Sequence, residues 1–265
     1  MKKILLSVFL FFFVQHAVVA QVSGKIRYIA SSGTSSLAPS PNPNGYENEY
    51  EHEVGVLYFT NTKSLYQQVQ NKTFIQVRTG PSGTERTEMP RPDVDTVGWL
   101  FAKDLVNKRL LSRDSFWSRS TFAYVSEVLS NIKWKINTER KKIGNYECQQ
   151  AEADFLDRHW TVWFAPAIPV GIGPWKLGGL PGAILEATDN TKDFVFVAQE
   201  INIPAREATA KLQKPYFEKA TLLTPEEFRK QYAEKKQKYI RYISSIANEY
   251  NGTMKTTFRP HLEML

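Results

Sequence analysis

The chain has 265 residues, a formal net charge of +7 and a single cysteine, Cys148. One thiol cannot form an internal disulfide, so we expect a chain of this length to be stabilised by its hydrophobic core, with Cys148 as a small buried apolar residue. The basic excess is mild and is not gathered into a recognisable nucleic-acid-binding module, so we expect no nucleic-acid partner.

The first twenty residues have the pattern of a secretory signal peptide. Met1-Lys2-Lys3 precedes an apolar run from Ile4 to Val14 and the small-residue pattern Val18-Val19-Ala20. This pattern predicts cleavage before Gln21 and export. No internal repeat or second domain is apparent in the sequence, so we expect residues 21–265 to form a single mature domain. Loss of the two signal lysines leaves 32 basic and 27 acidic residues, a net charge of +5. No later stretch approaches the roughly 20 apolar residues of a membrane helix, so we expect no transmembrane segment in the mature chain.

The mature chain is predicted to be mainly β (α+β), with a curved antiparallel meander sheet or half-open barrel. "GKIRYIA" alternates like a strand, and the serine- and proline-rich stretch Ser31–Gly45 after it is predicted to be a loop. A second exposed loop is predicted over Gly80–Asp95. Further runs rich in β-branched and aromatic residues are SLYQQV, KTFIQVRT, VGWLFAKD, NKRLLSRD, TFAYVSEV, IKWKIN, KKIGNYECQQAEADF, DRHWTVWFAP, GAILEATD and KDFVFVAQEINI. Because no helical period separates these strands, the sheet should be antiparallel.

The run EYEHEVGVLYFT follows the first predicted loop, and carboxylates recur at every second position around its start, at Glu47, Glu49, Glu51 and Glu53. In an extended chain they line one face. That face is either the solvated side of a sheet or a site for a hard cation such as calcium. We expect the solvated face and assign no metal site.

The run "RHWTVWFAP" predicts a strand with aromatic side chains on both faces. Its alternation places Trp160, Val162 and Phe164 on one side and His159, Thr161 and Trp163 on the other.

The stretch "GPWKLGGLPGAILEATD", residues 173–189, is rich in glycine and proline. It lacks the Gly-Lys-Ser/Thr of a phosphate loop, and a strand instead of a helix is predicted to follow it, so it does not have the geometry of an anion cradle. Leu180-Pro181-Gly182-Ala183 predicts a type II turn, which requires a positive φ at Gly182. Gly178 and Gly179 are predicted to allow a close approach of the backbone to another strand or a ligand.

One long helix is predicted near the C-terminus, from Pro225 to about Glu249. Thr224 and Glu227 form a capping-box pattern, and Asn251-Gly252 supplies a stop signal. The helix either lies across the sheet through its apolar stripe, with solvated lysines outside, or is a basic helix that meets membrane phosphates. The apolar stripe comprises Phe228, Tyr232, Tyr239, Ile243, Ile246 and Tyr250, and the basic face comprises Lys230, Lys235, Lys236, Lys238 and Arg241.

Recognisable catalytic motifs are missing from the sequence. It has no His-Glu-x-x-His and no Gly-x-Ser-x-Gly pattern, so we assign no catalytic residues and no cofactor and expect a protein that is not an enzyme. Two alternatives stay open. The first is an envelope hydrolase that uses Glu152 or Asp154 with Asp157 as a carboxylate pair. The second is a metal carrier that uses Glu51, His52 and Glu53 with Cys148 or His159.

Residues Lys141 to Asp189 closely resemble the signature of the GLPGLI family of exported proteins of double-membrane bacteria. The resemblance lies in Ile-Gly-x-Tyr-x-Cys, Trp-Phe-x-Pro-x-Ile-Pro and Gly-Pro-Trp-Lys-x-Gly-Gly-Leu-Pro-Gly, with Ala183 in place of the leucine of the name-giving peptide. It implies a periplasmic or outer-membrane-associated location and no established reaction. The aromatic strand, the turn and "AILEATD" are also similar to the half-open barrels of periplasmic lipoprotein carriers, a likeness of fold alone.

We therefore predict a non-enzymatic accessory or binding protein whose partner is an outer-membrane protein or an apolar ligand. Three of the six tryptophans lie near the glycine-rich stretch, and tryptophan is favoured in recognition. The alternative is that this cluster is simply core. The predicted binding residues are Trp160, Trp163, Trp175, Lys176, Gly178, Gly179, Leu180, Pro181 and Gly182.

Overall fold

The computed structural model of the chain describes residues 22–31, 46–49, 53–69, 72–80, 83–90, 95–116, 122–214 and 216–249. The predicted signal peptide, the predicted loop after Ser31, Glu51, His52 and the stop signal Asn251-Gly252 lie outside the described residues.

The described residues form strands and helices in the following order: β1 (Ser23–Ser31), β2 (Tyr46–Glu49), β3 (Glu53–Thr60), β4 (Lys63–Val69), β5 (Thr73–Gly80), β6 (Gly83–Pro90), β7 (Trp99–Asp104), β8 (Arg109–Ser115), β9 (Phe122–Val128), β10 (Lys135–Ile143), β11 (Tyr146–Phe155), β12 (Arg158–Ala165), β13 (Ala183–Asp189), β14 (Val195–Asn202), α1 (Glu207–Leu212), β15 (Leu222–Leu223) and α2 (Pro225–Glu249).

Twelve of these strands form one open sheet in the order β10-β11-β12-β13-β14-β1-β3-β4-β7-β8-β9-β15. All neighbours are antiparallel except β15, which runs parallel to β9. The first strand, β1, lies between β14 and β3 and so joins two meanders. A second, antiparallel sheet has the order β2-β5-β6. The predicted mainly β class with a large antiparallel meander sheet is confirmed.

The large sheet must be strongly curled, because a short connection joins its two ends. Ten strand-to-strand steps separate β10 from β9, which in a flat sheet amounts to about 48 Å at about 4.8 Å per step. The connection between these two strands, residues 129–134, has six residues and reaches at most about 25 Å when fully extended. The two strands therefore lie on either side of the opening of a half-open barrel.

The concave face of the sheet carries the main core. Trp160, Val162 and Phe164 on β12 are at most 1% exposed, whereas His159, Thr161 and Trp163 on the same strand are exposed or half-buried. The alternation predicted from the sequence is confirmed. Aromatic rings from separate strands also meet in this core; the Tyr66 ring on β4 lies 6.1 Å from both Tyr28 on β1 and Phe196 on β14.

The long helix α2 begins with the predicted capping box. The Thr224 amide donates a hydrogen bond to Glu227 Oε2 at 2.7 Å, and the Glu227 amide donates to Thr224 Oγ1 at 3.2 Å. Each side chain thus satisfies a backbone donor that the helix itself leaves free.

The first turns of α2 pack closely on the sheet. The Phe228 ring stacks on Phe116 at 5.2 Å between ring centroids, and Tyr232 joins the same small cluster beside Val125 on β9. The helix packs at the β9 and β15 end of the sheet instead of lying across its middle. Of the predicted apolar stripe, Phe228 and Tyr232 pack on the sheet and Tyr239 is exposed, whereas Tyr250 and the side chains of Ile243 and Ile246 lie outside what the structure describes.

The loop predicted over Gly80–Asp95 is wrong for residues 83–90, which are exposed as predicted but form a strand; residues 81–82 and 91–94 lie outside the described residues. Residues from Gly83 to Pro90 form β6, which pairs along its whole length with β5. Its sequence, GTERTEMP, has almost no apolar alternation and is exposed along most of its length. This strand is held by backbone hydrogen bonds to β5 in a hairpin, not by burial of an apolar face. Its sequence therefore shows no hydrophobic periodicity that could predict it.

The predicted row of four carboxylates does not form one face. Glu47 and Glu49 lie on β2 in the small sheet, whereas Glu53 begins β3 in the large sheet. Glu53 is 3% exposed and accepts a hydrogen bond from Gln68 Nε2 at 2.7 Å. The chain changes sheets between these residues, which the period of two could not reveal.

Two further differences from the prediction concern the start of one strand and two short elements. Ile132 and Trp134, predicted as strand residues, lie in the connection before β10 and pack against the main core. The short helix α1 and the two-residue strand β15 were not predicted.

Candidate functional site

The glycine-rich segment, defined here as residues 171–182, lies between β12 and β13. Ile172 and Gly178 form an isolated antiparallel bridge, and the Gly179 amide donates to the Gly171 carbonyl at 3.0 Å. The chain then enters β13 at Ala183, as predicted, and not a helix. This segment therefore lacks the helix N-terminus that an anion cradle requires.

The predicted type II turn at Gly182 is wrong, because the φ of Gly182 is not positive. A Cβ atom at this position would lie 2.3 Å from the carbonyl oxygen of Ala165 on β12. Gly182 is thus required for close backbone contact. The predicted close approach at Gly178 is confirmed, since a Cβ there would lie 2.9 Å from the Gly171 carbonyl oxygen. The left-handed backbone occurs at Gly179 instead, with a φ of 86°.

Two of the predicted binding residues, Trp160 and Trp175, are core residues. They are 0% and 2% exposed, and their rings lie 5.6 Å apart. The Trp175 backbone has a φ of 49°, a strained conformation for a residue with a Cβ atom, and its buried indole N–H has no hydrogen-bond partner among the described residues. The segment fills the inside of the curled sheet with this side chain.

A buried lysine from the other side of the barrel holds the segment in place. Lys103 on β7 is 2% exposed, and its Nζ donates to the carbonyls of Gly173 at 3.0 Å and Leu177 at 2.5 Å. Burial disfavours the charged ammonium and lowers the pKa of Lys103 to about 7. Ser64 on β4 is paired with Lys103 on β7. The Ser64 hydroxyl is also buried, and it has no hydrogen-bond partner among the described residues.

Two further contacts tie the segment to the strands that border the opening. Lys176 Nζ donates to Glu127 Oε1 on β9 at 2.5 Å, and both side chains are largely buried. On the other border, Trp134 Nε1, just before β10, donates to the Gly178 carbonyl at 2.8 Å. The glycine-rich segment therefore bridges the opening from the inside.

The remaining predicted binding residues differ in their exposure. Lys176, Leu180 and Gly182 are buried and Gly178 is half-buried, whereas Gly179 and Pro181 are exposed. Trp163 is half-buried on the outer face of β12, where Lys141 Nζ lies 4.4 Å above its ring and also pairs with Glu186 at 2.7 Å. We call Trp163, Gly179 and Pro181, the three of these residues that are exposed or half-buried with their side chain or backbone outside the core, the rim; Trp163 lies opposite Glu186, five residues after Pro181 in the chain.

The carboxylates of the hydrolase alternative lie around the β11–β12 hairpin. The Asp154 side chain is 88% exposed, and its Oδ1 lies 2.8 Å from His159 Nδ1 on the neighbouring strand. Glu152 lies opposite Thr161 on the same hairpin, and Asp157 is in its exposed turn with a φ of 53°. The structure brings Asp154 together with His159 and gives no contact between Asp157 and the other two carboxylates.

Among the described residues, no three His, Cys, Asp or Glu side chains are grouped as metal ligands. Of the residues proposed for a metal carrier, Glu53 and Cys148 are buried in separate places and His159 is exposed. Cys148 is 0% exposed, as predicted, and burial raises the pKa of its thiol to about 11. A thiol in this state is a poor nucleophile and a poor metal ligand.

Sequence reasoning missed the buried charged residues. Besides Lys103 and Glu127, the Arg158 guanidinium donates to Asp189 Oδ2 at 2.5 Å, and both side chains are at most 5% exposed. A signal was available, since Lys103 shares its face with Phe101 and Arg158 shares its face with Trp160 at the period of two. A charged residue on an apolar strand face predicts a buried ion pair or a buried carbonyl contact.

Comparison with known proteins does not assign the chain to a family. No family model and no curated protein matches the chain. Among solved structures, two of PNGF-II, in the C2 and P21 space groups, match with TM-scores of 0.48 and 0.46 at 16% and 17% sequence identity. Each match covers 77% of this chain, and the chain spans only about a third of those structures, 31% and 32% of their length. In the part of the chain described here, no helix has the length and apolar character needed to cross a bilayer.

Proposed function

We propose that this chain is a non-enzymatic accessory or binding protein of the bacterial cell envelope and a member of the GLPGLI family. The signal-peptide pattern supports export to the periplasm or the outer membrane. The resemblance of residues 141–189 to the family signature supports the family assignment.

The burial of the signature residues is the observation that carries this proposal. Trp160, Trp175, Lys176 and Leu180 are at most 6% exposed, and Lys176 and its neighbours tie the segment to strands on both borders of the opening. Side chains committed to such contacts build the fold and do not face a substrate. The signature therefore supports a scaffold role better than a catalytic one.

The partner is proposed to contact the rim. Gly179 and Pro181 are exposed, and Trp163 is half-buried beside Lys141 and Glu186. Aromatic side chains such as Trp163 are enriched at protein interfaces. Because aromatic side chains fill the neighbouring interior, we favour an outer-membrane protein over an apolar ligand as the partner.

Crosslinking in cells, followed by mass spectrometry of the captured proteins, tests this proposal. The double variant Trp163→Thr/Pro181→Ser should reduce recovery of the specific partner by more than about tenfold, because a central interface tryptophan contributes about 2 kcal/mol or more. Val128→Thr on β9 is the control, since this residue is 78% exposed and is not one of the rim residues. Both variants should remain folded at the temperature of the crosslinking, which their melting temperatures check.

Two results would contradict the proposal. One is equal recovery of the partner by the rim variant and the wild type. The other is robust turnover of peptide, ester or glycan substrates by the purified protein, which would favour the hydrolase alternative.

A further inference from the structure

The second half of α2 carries its apolar stripe beyond the sheet. Phe228 and Tyr232 are 2% and 4% exposed, whereas Tyr239 and Tyr242 are 36% and 61% exposed. At about 100° per residue, both later tyrosines point within about 40° of the direction of Phe228. The face that is buried in the first turns is thus exposed to solvent in the later ones.

Basic residues accompany this exposed stripe. Residues 235–248 contain Lys235, Lys236, Lys238 and Arg241 and no acidic residue. On a helical projection Lys236 and Lys238 lie about 80° to either side of the stripe, and Lys238 is exposed. Lys235 lies closer to the sheet, with its Nζ 3.7 Å above the Phe116 ring.

We propose that the second half of α2 is a docking site for the surface of an anionic lipid bilayer. Tyrosine rings are favoured at the level of the lipid headgroups, where one end is apolar and the other is hydrated. Lysines on both sides of such a stripe reach the lipid phosphates, and an anionic surface attracts each of them. This site is separate from the rim, so its test is independent of the proposed partner.

Charge favours a bilayer over a second copy of the chain. Pairing two copies through this stripe would bring four basic groups together, Lys236 and Lys238 from each helix, without an acidic residue between positions 235 and 248. Like charges at that spacing repel, whereas anionic headgroups neutralise them.

Vesicle co-sedimentation tests the site directly. The exported protein is compared on vesicles of phosphatidylglycerol mixed with phosphatidylcholine and on pure phosphatidylcholine, with the N-terminus checked by mass spectrometry. Binding to the anionic vesicles at low salt is expected, with release at high salt. Lys238→Gln/Tyr242→Ser should weaken the partition coefficient by about tenfold or more.

The matched control is Lys135→Gln/Ile136→Ser on the edge strand β10, which also removes one exposed lysine and one exposed apolar side chain. It should bind like the wild type, and far-UV circular dichroism should show equal helix content in all three proteins. Failure of the wild type to bind anionic vesicles would overturn the proposal, as would equal binding by the helix variant. Self-association lost only in the helix variant, without vesicle binding, would assign the face to a second copy instead.

Discussion

At the scale of single residues, Lys103 is the most unusual group in the described chain. Its amine is buried beneath the glycine-rich segment and contacts two backbone carbonyls, with its pKa lowered by burial from 10.5 to about 7. Between these two values the unfolded chain holds a proton that the folded chain has released. Stability therefore rises with pH across this window, and below about pH 7 the protonated amine makes the folded state pay its full desolvation cost.

We expect Lys103→Met to abolish this pH dependence. The free energy of unfolding of the wild type, relative to that of the variant, should increase between pH 7 and about pH 9.5, because only the wild type carries the titrating amine. Urea denaturation at both pH values measures it. Lys142→Met is the control, since Lys142 is exposed. If the wild type and the Lys103 variant change in parallel with pH, the amine is not held in the buried environment described here.

At the scale of elements, the glycine-rich segment is held by sterics at one glycine and by backbone conformation at another. Gly182 packs against the Ala165 carbonyl without a positive φ, whereas Gly179 has a φ of 86° and open space where a Cβ atom would lie. The two glycines therefore respond to an added methyl group for different physical reasons.

Gly182→Ala should lower the free energy of unfolding by about 2–3 kcal/mol, because the new Cβ meets backbone atoms that cannot rotate away. Gly179→Ala should cost only about 1 kcal/mol, the penalty of a left-handed conformation for a residue with a Cβ atom. Chemical denaturation of the two variants side by side measures the difference. A larger loss at Gly179 than at Gly182 would contradict the packing described for this segment.

At the scale of the whole molecule, the glycine-rich segment makes contacts that the sheet cannot make alone. β9 and β10 border the opening, and no hydrogen bonds of the described sheet join them. Lys176 reaches Glu127 on one border, and Trp134 reaches Gly178 from the other. The curled shape therefore depends on a segment that threads the interior.

Lys176→Met tests this dependence. It removes a largely buried cation from Glu127 and should lower the free energy of unfolding by about 3 kcal/mol. Lys141→Met is the matched control, because the Lys141–Glu186 pair has the same chemistry but is more exposed, and it should cost less than about 1 kcal/mol. Similar losses in both variants, measured by urea denaturation, would show that the interior ion pair has no special role in closing the opening.

Several features of the fold and site were predictable because they depend on neighbouring residues in the chain. The capping box at Thr224 depends on a spacing of three residues, and the two faces of β12 depend on a period of two. The conformation of Gly182 was predicted wrongly from its local sequence because its constraint comes from Ala165 on the adjacent strand. The strand β6 was missed because its hairpin pairing leaves no hydrophobic pattern.

The sequence by itself determined the mainly β class, the strand ends near the glycine-rich segment, the start of α2 and the burial of Cys148, since each follows from local spacing and side-chain polarity. Only the tertiary structure decided which signature residues lie inside, which carbonyls meet Lys103, and how far α2 extends beyond the sheet. These contacts join residues up to 74 positions apart, as in the hydrogen bond from Lys103 to Leu177. The curl of the whole sheet brings such residues together. A local sequence pattern extends over only a few neighbouring residues, so it cannot predict a contact between residues so far apart in the chain.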